Sequence, residues 1–205
     1  LEFRRVLFRS QGPEEMQEVA GTIYEGAVAF LNRQYRTIAL LSVVGAIGIS
    51  ALLGFIKGGS EGAAVAWHTG IAFVIGAVCS GIAGLVGMFI AVKANLRTAA
   101  AARTSLGDAL TIALRGGAVS GLLVVAMSLL GVYGLFEAFR AIEVANGAAD
   151  PLRNAPSMIV GFGFGASFVA LFAQLGGGIY TKAADVGADL VGKGEAGIQI
   201  GRAHV

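Results

Sequence analysis

Charged side chains are scarce in this chain of 205 residues, at 14% of the total, against about 25% in ordinary soluble domains. Proline occurs three times, and cysteine once, as Cys79. The shortage of charge argues against a soluble globular protein, and the shortage of proline excludes a collagen-like chain. A single cysteine excludes an intrachain disulfide and a cysteine-based metal site.

The positive charge is also too small to indicate a nucleic-acid partner. The formal net charge is +2, and no lysine and arginine run with interleaved aromatic residues occurs, so no nucleic acid is expected to bind. Hydrophobic residues, in contrast, make up 56% of the chain, and glycine occurs 32 times. Glycine in an apolar chain is typical of closely packed membrane helices, and residues 161–165 hold its densest small-residue pattern.

Four uncharged apolar stretches dominate the chain. Each approaches or exceeds the roughly 18 to 20 residues that a helix needs to cross a hydrocarbon layer of about 30 Å. None has the polar stripe of a helix in a water-soluble bundle. The sequence therefore predicts an all-α integral membrane protein, with the last helix extended into the cytoplasm. Its four transmembrane spans are expected at about residues 38–56, 70–92, 116–136 and 157–181.

An amphipathic lead-in helix is expected before the first span. Pro13 followed by Glu14 and Glu15 is a helix-start signal. Apolar residues then recur at helical spacing from Met16 to Leu31. Two arrangements remain open, a helix lying in the plane of the membrane interface and a helix continuous with the first span.

Lysine and arginine are distributed unequally between the two ends of the predicted spans. The rich side is expected to be cytoplasmic, which places both natural ends of the chain there, in a multi-pass protein of the cell (inner) membrane. The charged connections are expected at residues 57–69, 93–115 and 137–156. The rich side has Arg33, Arg36, Lys93, Arg97, Arg103, Arg115, Lys182 and Lys193, and the other side has Lys57, Arg140 and Arg153.

The two ends of the chain share an inverted repeat at the DNA level. The codons GTG CTC TTC CGA TCT encode residues 6–10, and their reverse complement, read from its third base, encodes residues 200–203. Because the repeat resembles a sequencing adapter, residues 1–10 and 199–205 are interpreted as translated adapter and excluded from the fold prediction. Residues 11–198 are then expected to be an internal piece of a longer membrane protein.

The segment after the fourth span has the pattern that indicates chemistry. Lys182, Asp185, Asp189 and Lys193 fall on one face of a helix. Two carboxylates four residues apart offer the hard oxygen ligands that suit Mg²⁺, and the lysines could hold phosphate as point charges. The alternative is a solvated helix face, in which Lys182 pairs with Asp185 and Asp189 pairs with Lys193. Spacing alone leaves both interpretations open.

The same segment resembles the signature of the membrane-bound, ion-pumping inorganic pyrophosphatases. The signature lies in residues 176–193, and the resemblance extends back through residues 25–35, 93–98 and 115–122 to cover residues 12–198. It implies that Lys182 and Lys193 bind pyrophosphate and that Asp185 and Asp189 bind Mg²⁺. The parent protein would hydrolyse pyrophosphate on the cytoplasmic side of the membrane and pump H⁺ or Na⁺ outward, as a homodimer in the lipid bilayer.

The chain also departs from the family pattern. Family members continue beyond residue 198 with an Asp-rich helix that activates the attacking water, so the resemblance implies no catalytic residue in this chain, which alone is expected to be inactive. Gln174 stands at the position associated with the ion gate, where many relatives have arginine. The choice between H⁺ and Na⁺ and any need for K⁺ stay open. A small four-helix transporter subunit or scaffold without catalysis is the alternative function.

Overall fold

The computed structural model describes residues 6–147, 150–194 and 197, apart from the side chains of residues 60, 61, 153, 154 and 158. Within that part of the chain it has four long helices and no strand, which confirms the predicted all-α fold. The helices are α1 (Glu14–Lys57), α2 (Gly59–Ala102), α3 (Leu106–Ala145) and α4 (Pro151–Gly194).

Each helix is about twice as long as a membrane span. The helices have 40 to 44 residues, which at 1.5 Å per residue corresponds to about 60–66 Å. Each includes one of the four apolar stretches, and all four are long and apolar enough to cross a membrane. Each helix is therefore long enough to cross the hydrocarbon layer with about half of its length to spare.

The lead-in helix is continuous with the first span. Helix α1 begins directly after Pro13, with Glu14 and Glu15 in its first turn, where negative charge interacts favourably with the helix dipole. It ends at Gly58, whose φ of 67° is in the left-handed region and whose N–H donates to the Gly54 carbonyl. Of the two arrangements left open by the sequence, the structure has the continuous helix.

The connections between the helices are much shorter than predicted from charge. Only Gly58 separates α1 from α2, and residues 103–105 separate α2 from α3. Ser105 caps α3, because its hydroxyl accepts a hydrogen bond from the Asp108 N–H at 3.2 Å. The expected loops were wrong because charged residues mark where a helix leaves the membrane, and a helix ends only where a cap or a glycine stops it.

Helix α2 packs against all three other helices. Its Phe73, fully buried, packs with Ile38 and Ala46 of α1 and Val169 of α4. At the α2–α4 interface a Cβ atom at Gly161 would overlap the Thr69 carbonyl, and one at Gly165 would overlap the Phe73 carbonyl. The two backbones are thus in direct contact, which only residues without a side chain allow.

Part of the segment interpreted as adapter lies within the described residues. Val6 is buried against Ala94 of α2 and Ile112 of α3. The Leu7 carbonyl accepts a hydrogen bond from Arg97 Nε at 3.1 Å. The remaining adapter positions, residues 1–5 and 199–205, lie outside the described residues.

Candidate functional site

The four predicted ligands lie on the last part of α4, beyond the predicted span. The helix continues to Gly194, with Lys193 in its last turn, where a cation stabilises the negative end of the helix dipole. Residues 181–191 are exposed at every position, as is Lys193. The structure therefore presents Lys182, Asp185, Asp189 and Lys193 on a solvent-accessible helix.

One of the two expected ion pairs is present. Lys182 Nζ lies 3.3 Å from Asp185 Oδ2, with side chains that are 83% and 68% exposed. Among the described residues, Asp189 and Lys193 have no ion-pair partner. An exposed pair of this kind contributes only about 0–1 kcal/mol to stability. Breaking the Lys182–Asp185 pair so that Lys182 can bind an anion therefore costs little free energy.

The carboxylates fit part of a Mg²⁺ site. Asp185 and Asp189 are one helical turn apart on the same element. Mg²⁺ is usually held by one or two carboxylates together with water and substrate phosphate oxygens. Within the described residues no group of three or more metal-ligating side chains comes together. The remaining ligands of such an ion would have to come from substrate, water and other segments.

Gln174, the expected gate position, lies on the same side of α4 as Lys182. Both side chains line an open depression, whose other residues are Leu171, Leu175, Gly178 and Ile179. Eight residues separate the two side chains along α4, which corresponds to about 12 Å. A continuous helix thus connects the predicted substrate lysine with the predicted gate.

The residues that hold α4 in place just N-terminal to this site were not predicted from the sequence. Gln34 Nε2 of α1 donates a hydrogen bond of 2.8 Å to the Phe172 carbonyl of α4. The rings of Phe30 and Tyr180 lie 4.8 Å apart, centroid to centroid. The only feature of the sequence that pointed to this contact is that residues 25–35 and 176–193 both resemble the family.

The other two stretches that resemble the family, residues 93–98 and 115–122, also lie against each other. Arg97 of α2 is buried, and its guanidinium donates to the Lys93 carbonyl at 2.7 Å. A Cβ atom at Gly116 of α3 would lie 2.9 Å from the Ala94 side chain. Residues 93–98 and 115–122 thus lie at the α2–α3 junction, as residues 25–35 and 172–180 lie at the α1–α4 junction.

A comparison with protein-family models matches residues 1–200 to the family described as inorganic H⁺ pyrophosphatase. The chain is a member of this family. Membership confirms the resemblance seen in the sequence, and the alternative of a four-helix subunit without catalysis is not supported.

Curated relatives agree with the family match. The K(+)-insensitive pyrophosphate-energized proton pump of Caldanaerobacter subterraneus subsp. tengcongensis is 55% identical over 196 residues, covering 94% of this chain and 27% of the relative. A similar pump, numbered 2, of Moorella thermoacetica is 59% identical over 193 residues, covering 94% and 26%. The pyrophosphate-energized membrane proton pump 3 of Arabidopsis thaliana is 46% identical over 201 residues, covering 94% and 25%. The chain thus spans about a quarter of the length of these relatives.

Proposed function

We propose that this chain is part of a membrane pump that couples the hydrolysis of inorganic pyrophosphate on the cytoplasmic side to outward transport of H⁺. The family match over residues 1–200 carries the proposal. The extension of α4 beyond the membrane span supports it, because a charged and highly soluble substrate must be bound in water. The exposed side chains of residues 182–193 provide the groups that such a substrate needs.

In this proposal the four charged side chains of α4 have two roles. Lys182 and Lys193 bind phosphate oxygens of pyrophosphate as point charges. Asp185 and Asp189 would hold Mg²⁺, which would neutralise phosphate charge. If Lys182 bound a phosphate oxygen instead of Asp185, the Asp185 carboxylate would be available to the cation.

The names of the relatives indicate which ion is pumped. The three relatives compared above are proton pumps, and two of them are K(+)-insensitive. We therefore infer H⁺ as the pumped ion and no requirement for K⁺. Mg²⁺ is proposed as the cofactor because Asp185 and Asp189 offer hard carboxylate oxygens. A homodimer of the full-length protein in the inner membrane is part of the same proposal.

The direct test is transport by the purified full-length protein in sealed lipid vesicles. Addition of Mg²⁺ and pyrophosphate outside is expected to acidify the interior of vesicles whose pumps have their α4 site outward, and an ionophore for H⁺ should abolish the gradient. Replacing K⁺ by choline is expected to leave the rate unchanged. Hydrolysis without a pH gradient, or a gradient that requires Na⁺, would contradict the proposal.

The proposed orientation predicts which residues are accessible from each side of the cell membrane. With Cys79 replaced by serine, a cysteine at Ser60 is expected to react with a membrane-impermeant maleimide in intact cells, and a cysteine at Arg103 only after the cells are opened. Ser60 lies in the first turn of α2, and Arg103 directly follows the last residue of this helix. Labelling of residue 103 from outside would reverse the orientation and remove the α4 site from the cytoplasm.

A further inference from the structure

The contact between α1 and α4 is the last one that α4 makes before the site. Tyr180 is half-buried against Phe30, whereas residues 181–191 are all exposed. Lys182 follows Tyr180 by only two residues. Among the described residues of this part of α4, only Gly192 is buried beyond the exposed stretch. The direction of the charged segment therefore depends largely on how α4 is held at residues 172–180.

Gln34 fills the space beside a glycine at this contact. A Cβ atom at Gly176 would overlap the amide group of Gln34, and Gly176 itself is buried. The same amide donates its 2.8 Å hydrogen bond to Phe172, one turn earlier on α4. Gln34 is therefore held by a hydrogen bond on one turn and packs directly on the backbone of the next.

The contact of Tyr180 with α1 also consists of a side chain packed over a glycine. A Cβ atom at Gly26 of α1 would lie 3.2 Å from the Tyr180 hydroxyl. Tyr180 thus packs over a glycine of α1, while Gln34 packs over a glycine of α4. Two side chains inserted in opposite directions prevent α4 from sliding or rotating against α1, because either movement would bring a side chain into backbone.

We infer that Gln34 is a positioning residue for the α4 site: its amide, packed on Gly176, sets the direction in which Lys182, Asp185 and Asp189 project. The role of that site rests on the proposed function above, but the position of the helix does not. From Gly176 to Asp189 the helix extends by about 20 Å, so a small rotation at Gly176 displaces the carboxylates by a larger distance.

The positioning role is tested first by a distance that does not depend on activity. Spin labels on cysteines at Thr22 of α1 and Ala188 of α4, both exposed, are measured by pulsed dipolar spectroscopy in the full-length protein with Cys79 and any other cysteine replaced by serine. Gly176→Ala is expected to shift the main distance by at least about 1 Å, because the added methyl and the Gln34 amide must separate to van der Waals contact.

Two further variants make the test specific. In Gly176→Ala/Gln34→Ala the space left by the glutamine accommodates the methyl, so the distance is expected to return towards that of the unsubstituted chain. Gly177→Ala is the matched control, because a Cβ atom there meets nothing within 4 Å, and it should leave the distance unchanged. An equal shift from Gly176→Ala with and without Gln34 would overturn the inference, and so would an unchanged distance.

A second measurement tests whether the position of α4 affects Mg²⁺ binding at the site. In the full-length protein, Gly176→Ala is expected to weaken the apparent Mg²⁺ affinity for pyrophosphate hydrolysis about 10-fold, the lower end of the losses found when groups that support a metal ligand are altered. The double variant should restore it. A role confined to folding would lower the amount of active protein and leave this affinity unchanged. A shifted label distance with unchanged Mg²⁺ affinity would refute the α4 site assignment, whereas an unchanged distance would refute the role of Gln34 alone.

Discussion

Asp185→Asn and Asp189→Asn in the full-length protein are each expected to lower the apparent Mg²⁺ affinity or the turnover of pyrophosphate by at least about 10-fold. Each change removes one negative charge and one hard anionic ligand from a metal shell to which α4 provides only two carboxylates. Lys182→Ala is expected to weaken substrate binding, because it removes a point charge that opposes the phosphate. The measurement is the rate of phosphate release as a function of Mg²⁺ concentration.

Two controls separate a metal site from a solvated helix face. Asp108→Asn removes an exposed carboxylate at the start of α3 and should leave the Mg²⁺ curve unchanged, because Ser105 still caps that helix. Glu195→Gln, predicted from sequence to have a smaller effect, concerns a residue outside those described. If the face of α4 is merely solvated, all these substitutions are near-neutral, within about 0.5 kcal/mol. Wild-type Mg²⁺ curves for both aspartate variants would refute the site.

Residues 12–198 expressed alone are expected to release no phosphate from pyrophosphate above background, whatever the Mg²⁺ concentration. The chain spans 25–27% of the relatives compared above. Its two α4 carboxylates are exposed and join no larger group of metal ligands among the described residues. Without the rest of the metal shell, the charge that develops on the phosphate in the transition state lacks most of its stabilisation.

The truncation experiment needs proof that the fragment is folded. Circular dichroism should show a mainly helical chain, as expected from four helices of 40 to 44 residues, and the full-length protein assayed in parallel provides the positive control. Sustained Mg²⁺-dependent turnover by the folded fragment would contradict the view that other segments complete the site.

The membrane-spanning part of the fold could be predicted from sequence because hydropathy acts locally. A helix in a bilayer satisfies its backbone hydrogen bonds within its own segment, so a run of apolar residues indicates a span without knowledge of its neighbours. The single face shared by Lys182, Asp185 and Asp189 was predictable for the same reason, since helical geometry alone places them there.

The helix limits were predicted less well. Residues 57–69 were expected to form a connection, yet only Gly58 interrupts the helices there. Charge reports where a helix meets water, and the end of a helix depends on caps and on left-handed glycines. The choice between a surface helix and a continuous α1 also needed the structure, because amphipathic periodicity is the same in both.

Sequence by itself thus determined four apolar helices, a charged face on the last one and, by resemblance, the family. Only the tertiary structure decided that residues 25–35 lie against residues 172–180, that Gln34 packs on Gly176 and that residues 181–191 of α4 are exposed. The physical reason is that close packing depends on the shapes of two surfaces far apart in sequence, and one helix does not specify the surface of its partner.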